Sequence, residues 1–443
     1  MHTVILGNGI SGITTARQLR KGSETARITV VSGETDHFFS RTALMYIYMG
    51  HMKFEHTKPY EDWFWEKNRI ELKRGWVSDI DFENKNLKFV EGDQLHYDKL
   101  VLATGSVPNK FGWPGQDLRR VQGLYSYQDL EALESYSDEI HTAVIVGGGL
   151  IGIELAEMLN SRGKKVVFLV RESSFWDNVL PADESLLINQ HIREHHIDLQ
   201  LETELDKILD DGNGNVKAVK TKTGQLIDCQ FVGLTAGVSP NIAFLKKSSL
   251  ETDRGILVNE FLETNLPDVY AAGDCVQHKT PPTGRRNLEQ IWYTGKIMGE
   301  TLAENILGKR KAYQPGIFYN SAKFLDIEYQ TYGSVPATLT EDLESFVWSN
   351  MDLKKLVRIN FDKKTKAVKG VNSFGIRMRQ EVWDKWLSEE AAVESVISEL
   401  PKANFDPEFY KTHEADILEA FNRQYGTSYQ LKTKKRGLAA LFN

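Results

Sequence analysis

Val-Ile-Leu-Gly-Asn-Gly-Ile-Ser-Gly, at residues 4–12, places a short apolar segment directly before a Gly-x-Gly-x-x-Gly pattern. Residues 13–19, which contain Ala and Leu, continue with helical spacing. This order predicts a strand, a tight turn and a helix. Gly7 permits the turn, Gly9 lets the backbone approach a pyrophosphate, and Gly12 lets the helix pack closely on the strand. The stretch therefore predicts the first βαβ unit of a dinucleotide-binding domain.

The helix that follows this turn indicates where the phosphates of the dinucleotide bind. Ile10 and Ser11 open the helix, and a helix N-terminus stabilises negative charge. A second strand follows at residues 28–31. In this fold an acidic residue after the second strand binds the ribose hydroxyls. Ser32 occupies the usual position, so we assign this role to Glu34.

A second copy of the pattern strengthens the prediction, since a single glycine turn is weak evidence. Residues 143–157 again read as strand, glycines and helix, and another strand follows at 166–170. The residues of this turn predicted to contact a dinucleotide are Gly147, Gly149, Leu150, Ile151 and Gly152. Two such folds imply two dinucleotides. The natural pair is a flavin and a nicotinamide, because one passes hydride to the other.

Length and composition limit the function classes. The 443 residues predict two to four domains, and 41% hydrophobic with 26% charged residues is typical of globular proteins. The net charge of −7 argues against nucleic acid as the main partner. No apolar run approaches the roughly 18 residues of a membrane span. The first strand leaves no room for a signal peptide, and Cys229 and Cys275 fit a reducing compartment, so we expect a cytoplasmic protein.

Five motifs occur in a fixed order along the chain. They are the glycine turn at 7–12, Ala-Thr-Gly at 103–105, the glycine turn at 147–152, Gly-Leu-Thr-Ala-Gly at 233–237 followed by Pro-Asn at 240–241, and the segment 264–274 that ends in Ala-Ala-Gly-Asp. Together they resemble the two-dinucleotide flavoproteins of the pyridine nucleotide-disulfide oxidoreductase class. Within that class the chain is most similar to ferredoxin or rubredoxin reductases and to the flavin part of assimilatory nitrite reductases. The resemblance covers about residues 1 to 375.

The resemblance implies FAD as the cofactor and assigns residues to it. Asp274 accepts a hydrogen bond from the flavin ribitol, and Gly273 allows the close approach; a solvated Gly-Asp turn is the alternative. Trp292 lies on a helix whose N-terminal turn meets the isoalloxazine, unless it is simply part of the helix core. The Ala-Thr-Gly motif adds three further cofactor-binding candidates, which are Ala103, Thr104 and Gly105.

The same resemblance implies NAD(P)H as the co-substrate. Glu154 corresponds to a glutamate that contacts the nicotinamide carboxamide; a solvated helix residue is the alternative. Gly237 belongs to the same site. At the ribose end, Arg171 suits a 2′-phosphate, whereas Glu172 suits a 2′-hydroxyl. The sequence therefore leaves NADH and NADPH open.

The residues that are missing narrow the chemistry. Disulfide reductases of this class carry cysteine beside the flavin, but residues 40–46 contain none. We expect both cysteines to be buried structural thiols, so thiol relay is disfavoured. Arg41 begins an Arg-x-x-Leu pattern similar to that of the ferredoxin reductases and is a candidate flavin contact or a surface arginine, although Tyr46 replaces the usual lysine. The scattered histidines and the absence of Cys-x-x-Cys predict no metal site.

We predict an α/β fold with two Rossmann-like domains, a small α+β domain and a helical extension. The predicted boundaries are FAD-binding domain 1–114 and 250–315, NAD(P)H-binding domain 115–249, C-terminal α+β domain 316–376, and helical extension and tail 377–443. The pair Trp383 and Trp386 in the extension is interpreted as packing. The oligomeric state and the role of the extension stay open.

Three functions fit these predictions. The first is an FAD enzyme that oxidises NAD(P)H and passes electrons to a separate redox protein such as a ferredoxin or rubredoxin. The second is a peripheral NADH:quinone reductase that uses the basic and apolar tail at residues 432–442 as membrane contact, although a plain solvated tail is favoured for so short a segment. The third is a flavin-bearing redox sensor that uses the helical extension to bind a partner.

Overall fold

The computed structural model describes residues 1–350 and 354–432. The strands, in chain order, are β1 (His2–Leu6), β2 (Arg27–Ser32), β3 (Ile70–Arg74), β4 (Val77–Asp81), β5 (Asn86–Phe89), β6 (Gln94–His96), β7 (Lys99–Leu102), β8 (Ser106–Pro108), β9 (Val121–Gln122), β10 (Thr142–Val146), β11 (Lys165–Leu169), β12 (Asp198–Gln200), β13 (Leu205–Asp210), β14 (Val216–Thr221), β15 (Leu226–Asp228), β16 (Phe231–Leu234), β17 (Val238–Pro240), β18 (Ile256–Val258), β19 (Val269–Ala271), β20 (Val276–His278), β21 (Tyr319–Phe324), β22 (Ile327–Gly333), β23 (Leu343–Asn350), β24 (Lys355–Asp362) and β25 (Val368–Phe374). The α-helices are α1 (Ile10–Gly22), α2 (Leu44–Tyr48), α3 (Trp63–Lys67), α4 (Tyr127–Ser135), α5 (Leu150–Ser161), α6 (Ala182–Glu194), α7 (Trp292–Ile306), α8 (Gln380–Ser388), α9 (Val393–Ser398) and α10 (Glu414–Tyr425).

The described chain forms two compact units, of which the first contains residues 1–169 and 203–315. Its first sheet has the strand order β19-β7-β1-β2-β3, and every neighbouring pair is parallel. The central strand β1 carries Val4 and Ile5, which are fully buried. Continuous apolar strands of this kind belong to parallel sheets covered on both faces. This sheet is the first Rossmann-like domain that the sequence predicts.

A second parallel arrangement repeats the pattern in the same unit. Strand β10 pairs in parallel with β11 and β16, and β16 pairs in parallel with β9. Helix α5 follows β10 as α1 follows β1. A separate antiparallel sheet of β13, β14 and β15 packs near it. The predicted α/β fold with two dinucleotide-binding folds is therefore confirmed.

Among the described residues, the second unit contains 170–202, 316–350 and 354–432. Its antiparallel sheet has the strand order β21-β22-β25-β24-β23. Residues of this sheet and of helices α8, α9 and α10 share one hydrophobic core, which includes Phe346, Val371, Trp383, Val396 and Phe421. The predicted helical extension is thus part of the same core as the sheet, while the sequence-based domain boundaries stay predictions.

The pair Trp383 and Trp386 is buried, at 0% and 7% exposure, with ring centroids 5.1 Å apart and nearly perpendicular. The interpretation of these rings as packing is confirmed. Most of the basic and apolar tail, residues 433–443, for which a solvated tail is favoured over membrane contact, lies outside the described residues. Among the helices of the described ranges, none has both the length and the apolar character that a bilayer crossing requires.

Candidate functional site

The first glycine turn has the backbone shape that its sequence predicts. Gly7 has a φ of 117°, a conformation that strongly favours glycine. A Cβ at Gly7 would collide with the carbonyl oxygen of Ala103, and one at Gly12 would collide with that of Gly7. Gly9, by contrast, is the N-cap of α1, and a Cβ there would have no atom within 4 Å. The turn therefore brings strand and helix together and leaves open space at the helix N-terminus, where a phosphate fits.

Helix α7 closes one side of this turn through small residues. Ser11 is 6% exposed, and its side chain lies where a Cβ at Gly273 or Gly295 would be. One turn further along α7, a Cβ at Gly299 would lie 2.6 Å from the Ser11 carbonyl oxygen. The hydroxyl of Thr15 donates to that same carbonyl oxygen at 2.8 Å. These contacts bring the backbones of α1 and α7 close together. They thereby position α7, which begins with Trp292.

Asp274 lies at the centre of a cluster of polar residues that are distant from one another in the sequence. The Ser106 hydroxyl donates to its Oδ2 at 3.3 Å, and Gln290 Nε2 donates to the Ser106 hydroxyl at 2.6 Å. The Tyr125 hydroxyl also hydrogen-bonds the carboxylate and accepts from the Ser106 backbone N–H at 3.0 Å. Burial raises the pKa of Asp274 to about 6, against the opposing effects of Ser106, Arg41 and Tyr125. A carboxylate held in this way is suited to accept a hydrogen bond from a ligand hydroxyl.

The Ala-Thr-Gly motif connects the first sheet to a neighbouring loop. Ala103 N–H donates to the Leu6 carbonyl at 2.8 Å and continues the pairing of β7 with β1. Thr104 Oγ1 donates to the Asn241 carbonyl at 2.9 Å, and the Asn241 N–H returns a 2.9 Å bond to Gly105. Gly105 has a φ of 68°. The motif and the Pro-Asn segment therefore fix each other beside the first glycine turn.

Glu34 and Arg41 form a bidentate ion pair. The Arg41 guanidinium donates to Oε1 at 2.7 Å and to Oε2 at 2.6 Å of Glu34. The Tyr127 backbone N–H donates to the same Oε1 at 2.9 Å. Arg41 also lies over the ring of Tyr125, 4.5 Å from its centroid. The two predicted residues are thus brought together, although a ribose contact by Glu34 stays a prediction that must share the carboxylate with Arg41.

Trp292 is the first residue of α7. Its side chain is 40% exposed, and its ring meets Tyr293 edge-on at 5.3 Å between centroids. This exposure is higher than the helix-core interpretation implies. The ring is therefore available to a ligand at the helix N-terminus, and its contact with the flavin stays a prediction.

The second glycine turn repeats the geometry of the first. Gly147 has a φ of 118°, and Gly149 is the extended N-cap of α5, which begins with Leu150 and Ile151. A Cβ at Gly149 would again have no atom within 4 Å. A Cβ at Gly152 would lie 2.9 Å from Thr235 Oγ1 and would collide with the Gly147 carbonyl oxygen. The second turn therefore offers the same open space at a helix N-terminus.

Glu154 lies one turn into α5 and is half-buried. No hydrogen bond or ion pair engages its carboxylate within residues 1–350 and 354–432. Burial, with a smaller contribution from the charge of Glu157, raises the pKa of Glu154 to about 7. Gly237, the other predicted residue of this group, has a φ of 85° and lies beside Asn109. A carboxyl group that titrates near neutrality is typical of a functional position.

Arg171 and Glu172 follow strand β11 in the sequence and belong to the second unit. Arg171 is 70% exposed and forms a 2.7 Å ion pair with Glu172, which is 33% exposed. Both side chains are accessible to solvent, so the pair favours neither a 2′-phosphate nor a 2′-hydroxyl on the ribose.

Residues 1–294, which include both glycine turns, Asp274 and Trp292, match the family model described as pyridine nucleotide-disulphide oxidoreductase. The chain belongs to this family. The membership confirms the resemblance inferred from the five motifs.

Curated relatives of this oxidoreductase include reductases and an oxidase. The chain is 31% identical over 340 residues to an NADH oxidase of Methanocaldococcus jannaschii, covering 74% of this chain and 75% of that protein. It is 32% identical to a rubredoxin-NAD(+) reductase of Acinetobacter baylyi, covering 62% of this chain and 72% of the relative. It is 25% identical to a nitrite reductase [NAD(P)H] of Bacillus subtilis, covering 96% of this chain but only half of that protein's length.

Solved structures confirm the fold of this oxidoreductase. A NAD-dependent persulfide reductase of A. fulgidus superposes with a TM-score of 0.82 at 23% identity, covering 96% of this chain and 84% of that one. A ferredoxin reductase of Rhodopseudomonas palustris gives a TM-score of 0.76 at 22% identity, covering 84% and 91%.

This oxidoreductase is an NAD(P)H-dependent enzyme with FAD as its cofactor. Three features fit that cofactor. The N-terminus of α1 has open space, Gly273 has no side chain to block a close approach, and the carboxylate of Asp274 is half-buried. When bound, the flavin accepts hydride from the nicotinamide and can release the electrons one at a time. The chain's own task is to orient the two rings and exclude water.

Neither cysteine thiol is exposed to solvent, and that of Cys275, next to Asp274, donates to the backbone carbonyls of Leu102 and Ala272. Cys229 and Cys275 are both fully buried, as predicted. Burial raises the pKa of the Cys229 thiol to about 12, and that of Cys275 also rises. Buried thiols with raised pKa values are poor nucleophiles.

Sequence reasoning missed several residues that build the site. Ser106, Tyr125 and Gln290 surround Asp274, and the Tyr127 backbone binds Glu34. These residues come from separate segments and carry no motif. Only the small-residue turn that ends at Ser106 could have pointed to one of them.

Proposed function

We propose that this enzyme oxidises NAD(P)H through FAD and delivers the electrons to a separate small redox protein of the ferredoxin or rubredoxin type. The observation that carries the proposal is that a complete first glycine turn occurs together with a segment, residues 40–46, that contains no cysteine. A flavoprotein that lacks a neighbouring thiol has no disulfide to receive the electrons. They must then leave directly for an external acceptor.

The electron balance supports single-electron delivery. Each NAD(P)H gives up one hydride, which is two electrons and one proton, and becomes NAD(P)⁺. Two molecules of a one-electron acceptor are then reduced, and one proton is released. In this scheme Glu154 orients the nicotinamide carboxamide, and the Asp274 cluster holds the flavin side chain.

The names of two relatives describe different activities, and one of them supports the proposal. The name of the Acinetobacter baylyi relative, a rubredoxin-NAD(+) reductase, includes a small redox protein, whereas the name of the Methanocaldococcus jannaschii relative describes an NADH oxidase. The proposal favours a redox protein because Arg41 begins the Arg-x-x-Leu pattern of the reductase group. The quinone alternative depends on a tail that lies mostly outside the described residues, and no structural observation favours the sensor alternative.

The test is an anaerobic titration of the yellow enzyme with NADH and with NADPH, followed by reoxidation with ferredoxin, rubredoxin, quinone, a persulfide and oxygen in parallel. We expect bleaching by at least one nucleotide and the fastest reoxidation by a one-electron protein acceptor. Faster turnover with oxygen or quinone than with every protein tested would overturn the acceptor assignment. Failure of both nucleotides to bleach the flavin would overturn the whole proposal.

A further inference from the structure

Two histidines and one aspartate meet in the second unit. His191 lies in α6 and His195 caps its C-terminus, so the two side chains are one helical turn apart on one face. Asp326 comes from the turn between β21 and β22. One ligand atom from each residue lies within 4.8 Å of the other two. We propose that His191, His195 and Asp326 form a binding site for a divalent transition metal of the zinc type.

The ring nitrogens are aimed for metal binding. His195 Nδ1 lies 2.9 Å from the carbonyl oxygen of His191, which suits an N–H donated to that carbonyl, while its other ring nitrogen, Nε2, faces Asp326. His195 Nε2 is 3.6 Å from Asp326 Oδ1, and His191 Nε2 contacts the same oxygen. Ligands of a tetrahedral zinc ion lie about 3.3 Å apart, given metal–ligand bonds of about 2.0 to 2.1 Å. Because the His191–Asp326 contact is shorter than this spacing, Asp326 must move outward to admit the ion.

The three proposed ligands differ in solvent exposure and in rigidity, and this difference allows an ion to enter the site. The His191 side chain is 1% exposed and His195 is 31% exposed, so α6 holds both rings in place. The Asp326 side chain is 70% exposed on a surface turn, so it can shift and an ion can enter from solvent. Two imidazoles and one carboxylate suit Zn²⁺ or Co²⁺ and leave a fourth position for water.

Lys354 is the main competitor for this site. Its Nζ lies 3.0 Å from Nδ1 of His191, on the other side of the ring from Asp326. The same ammonium lies 2.6 Å from Oε2 of Glu194, so its charge is compensated by a neighbouring carboxylate. A metal ion at Nε2 is therefore opposed by only part of the Lys354 charge. Removing that charge should strengthen metal binding.

The neighbouring His196 offers a matched control. It is exposed, and it follows His195 directly outside the helix. His195→Asn removes a ligand, whereas His196→Asn removes an imidazole that takes no part in the proposed site. Asp326→Asn removes the third ligand from an exposed turn and carries little risk to folding. Lys354→Met removes the competing charge.

The experiment uses the full-length FAD-bound protein after treatment with a chelator. Co²⁺ is titrated while absorption is followed at wavelengths beyond the flavin band, and Zn²⁺ is then used to displace it. We expect one equivalent of Co²⁺ in tetrahedral geometry, and an unfolding temperature raised by Zn²⁺. The affinity should fall on the order of a hundredfold in His195→Asn and Asp326→Asn, stay unchanged in His196→Asn and rise several-fold in Lys354→Met.

Two results would overturn the site. One is the absence of a stoichiometric Co²⁺ band in the wild-type protein, which would leave the cluster as an ion pair between histidine and Asp326. The other is an equal affinity in His195→Asn and His196→Asn. If His195→Asn fails to fold, Asp326→Asn alone decides, because unchanged binding in that variant contradicts the assignment.

Discussion

The two glycine turns share a backbone but differ in their surroundings. At the third variable position of the pattern, Ser11 of the first turn is 6% exposed and packs against α7, whereas Ile151 of the second turn is only half-buried. Helix α7, from a later part of the chain, covers the first turn, whereas the second turn is more exposed to solvent. From this difference we predict that the first turn holds the tightly bound cofactor and the second the exchangeable co-substrate, because the neighbouring elements differ.

The acidic groups near the two turns differ in the same sense. Glu34 is already engaged by two nitrogens of Arg41 and by a backbone N–H. Glu154 has no such partner among the described side chains, and burial raises its pKa to about 7. The first carboxylate belongs to a fixed framework, and the second is free to change its protonation state when a ligand arrives.

The largest expected effect comes from Gly12→Ala. The added Cβ collides with the backbone carbonyl of Gly7, which cannot move without disturbing β1. We expect the free energy of unfolding to fall by more than about 2 kcal/mol and FAD to be lost. Flavin absorbance per protein and urea unfolding measure both. Gly22→Ala, in the same helix, meets only the Leu307 side chain and should keep its FAD; equal flavin loss in both variants would refute the role of Gly12.

A sharper comparison uses Gly9→Ala and Gly149→Ala. A Cβ at either position has no protein atom within 4 Å, so only a bound ligand can meet it. We expect the unfolding free energy of the apoprotein to change by less than about 0.5 kcal/mol in both. Gly9→Ala should weaken FAD binding at least about tenfold, and Gly149→Ala should stay yellow with a KM for NAD(P)H raised at least about tenfold.

Apoprotein reconstitution and steady-state kinetics separate the two outcomes. If Gly149→Ala lost FAD while Gly9→Ala kept it, the assignment of the turns would be reversed. Unchanged ligand binding in both variants would show that the phosphates lie elsewhere.

Glu154 should make co-substrate binding depend on pH. Since its pKa is about 7, the carboxyl is neutral below that value and ionised above it. The ionised form attracts the cationic nicotinamide of NAD(P)⁺, so inhibition by NAD(P)⁺ should strengthen a few-fold between about pH 6 and about pH 8. The Glu154→Gln variant should show a flat profile. A wild-type profile that is equally flat would contradict a nicotinamide contact.

The same shift predicts a stability effect with a definite sign. The folded-state pKa of Glu154 is raised above its ordinary value of 4.5, so the folded protein binds the proton more tightly than the unfolded chain. The stability that this group contributes is therefore present at low pH and is lost as the pH rises through about 7. Glu154→Gln should unfold at a higher urea concentration than wild type at pH 8, and this advantage should shrink at pH 5.

The smallest expected effect is that of Arg41→Lys. Lysine keeps the charge but cannot reproduce the two-pronged contact with Glu34. We expect the enzyme to remain yellow while FAD affinity falls only a few-fold, less than in Gly9→Ala. Fluorescence titration of the apoprotein with FAD measures this difference, and complete loss of flavin would mean that Arg41 binds the cofactor directly.

Local patterns in the sequence predicted the parts of the fold that depend on local chemistry. Gly7 and Gly147 were identifiable because a positive φ and a close strand–helix approach require glycine. The environment of Asp274 was not identifiable, because its partners are distant in sequence, as Ser106 is at 168 positions, and local patterns do not report tertiary contacts. The cluster of His191, His195 and Asp326 was missed for the same reason: helical spacing relates the two histidines, but only the tertiary fold adds the aspartate.

The contact between α1 and α7 has a consequence for how the enzyme is made. Helix α1 begins at Ile10, but its glycine-lined partner ends at Ile306, and strand β19 of the same sheet ends at Ala271. A ribosome releases the amino-terminal half of this fold long before the remainder exists. A nascent chain therefore cannot enclose flavin until about two thirds of the protein has been synthesised, and cofactor capture becomes a late event in its biogenesis.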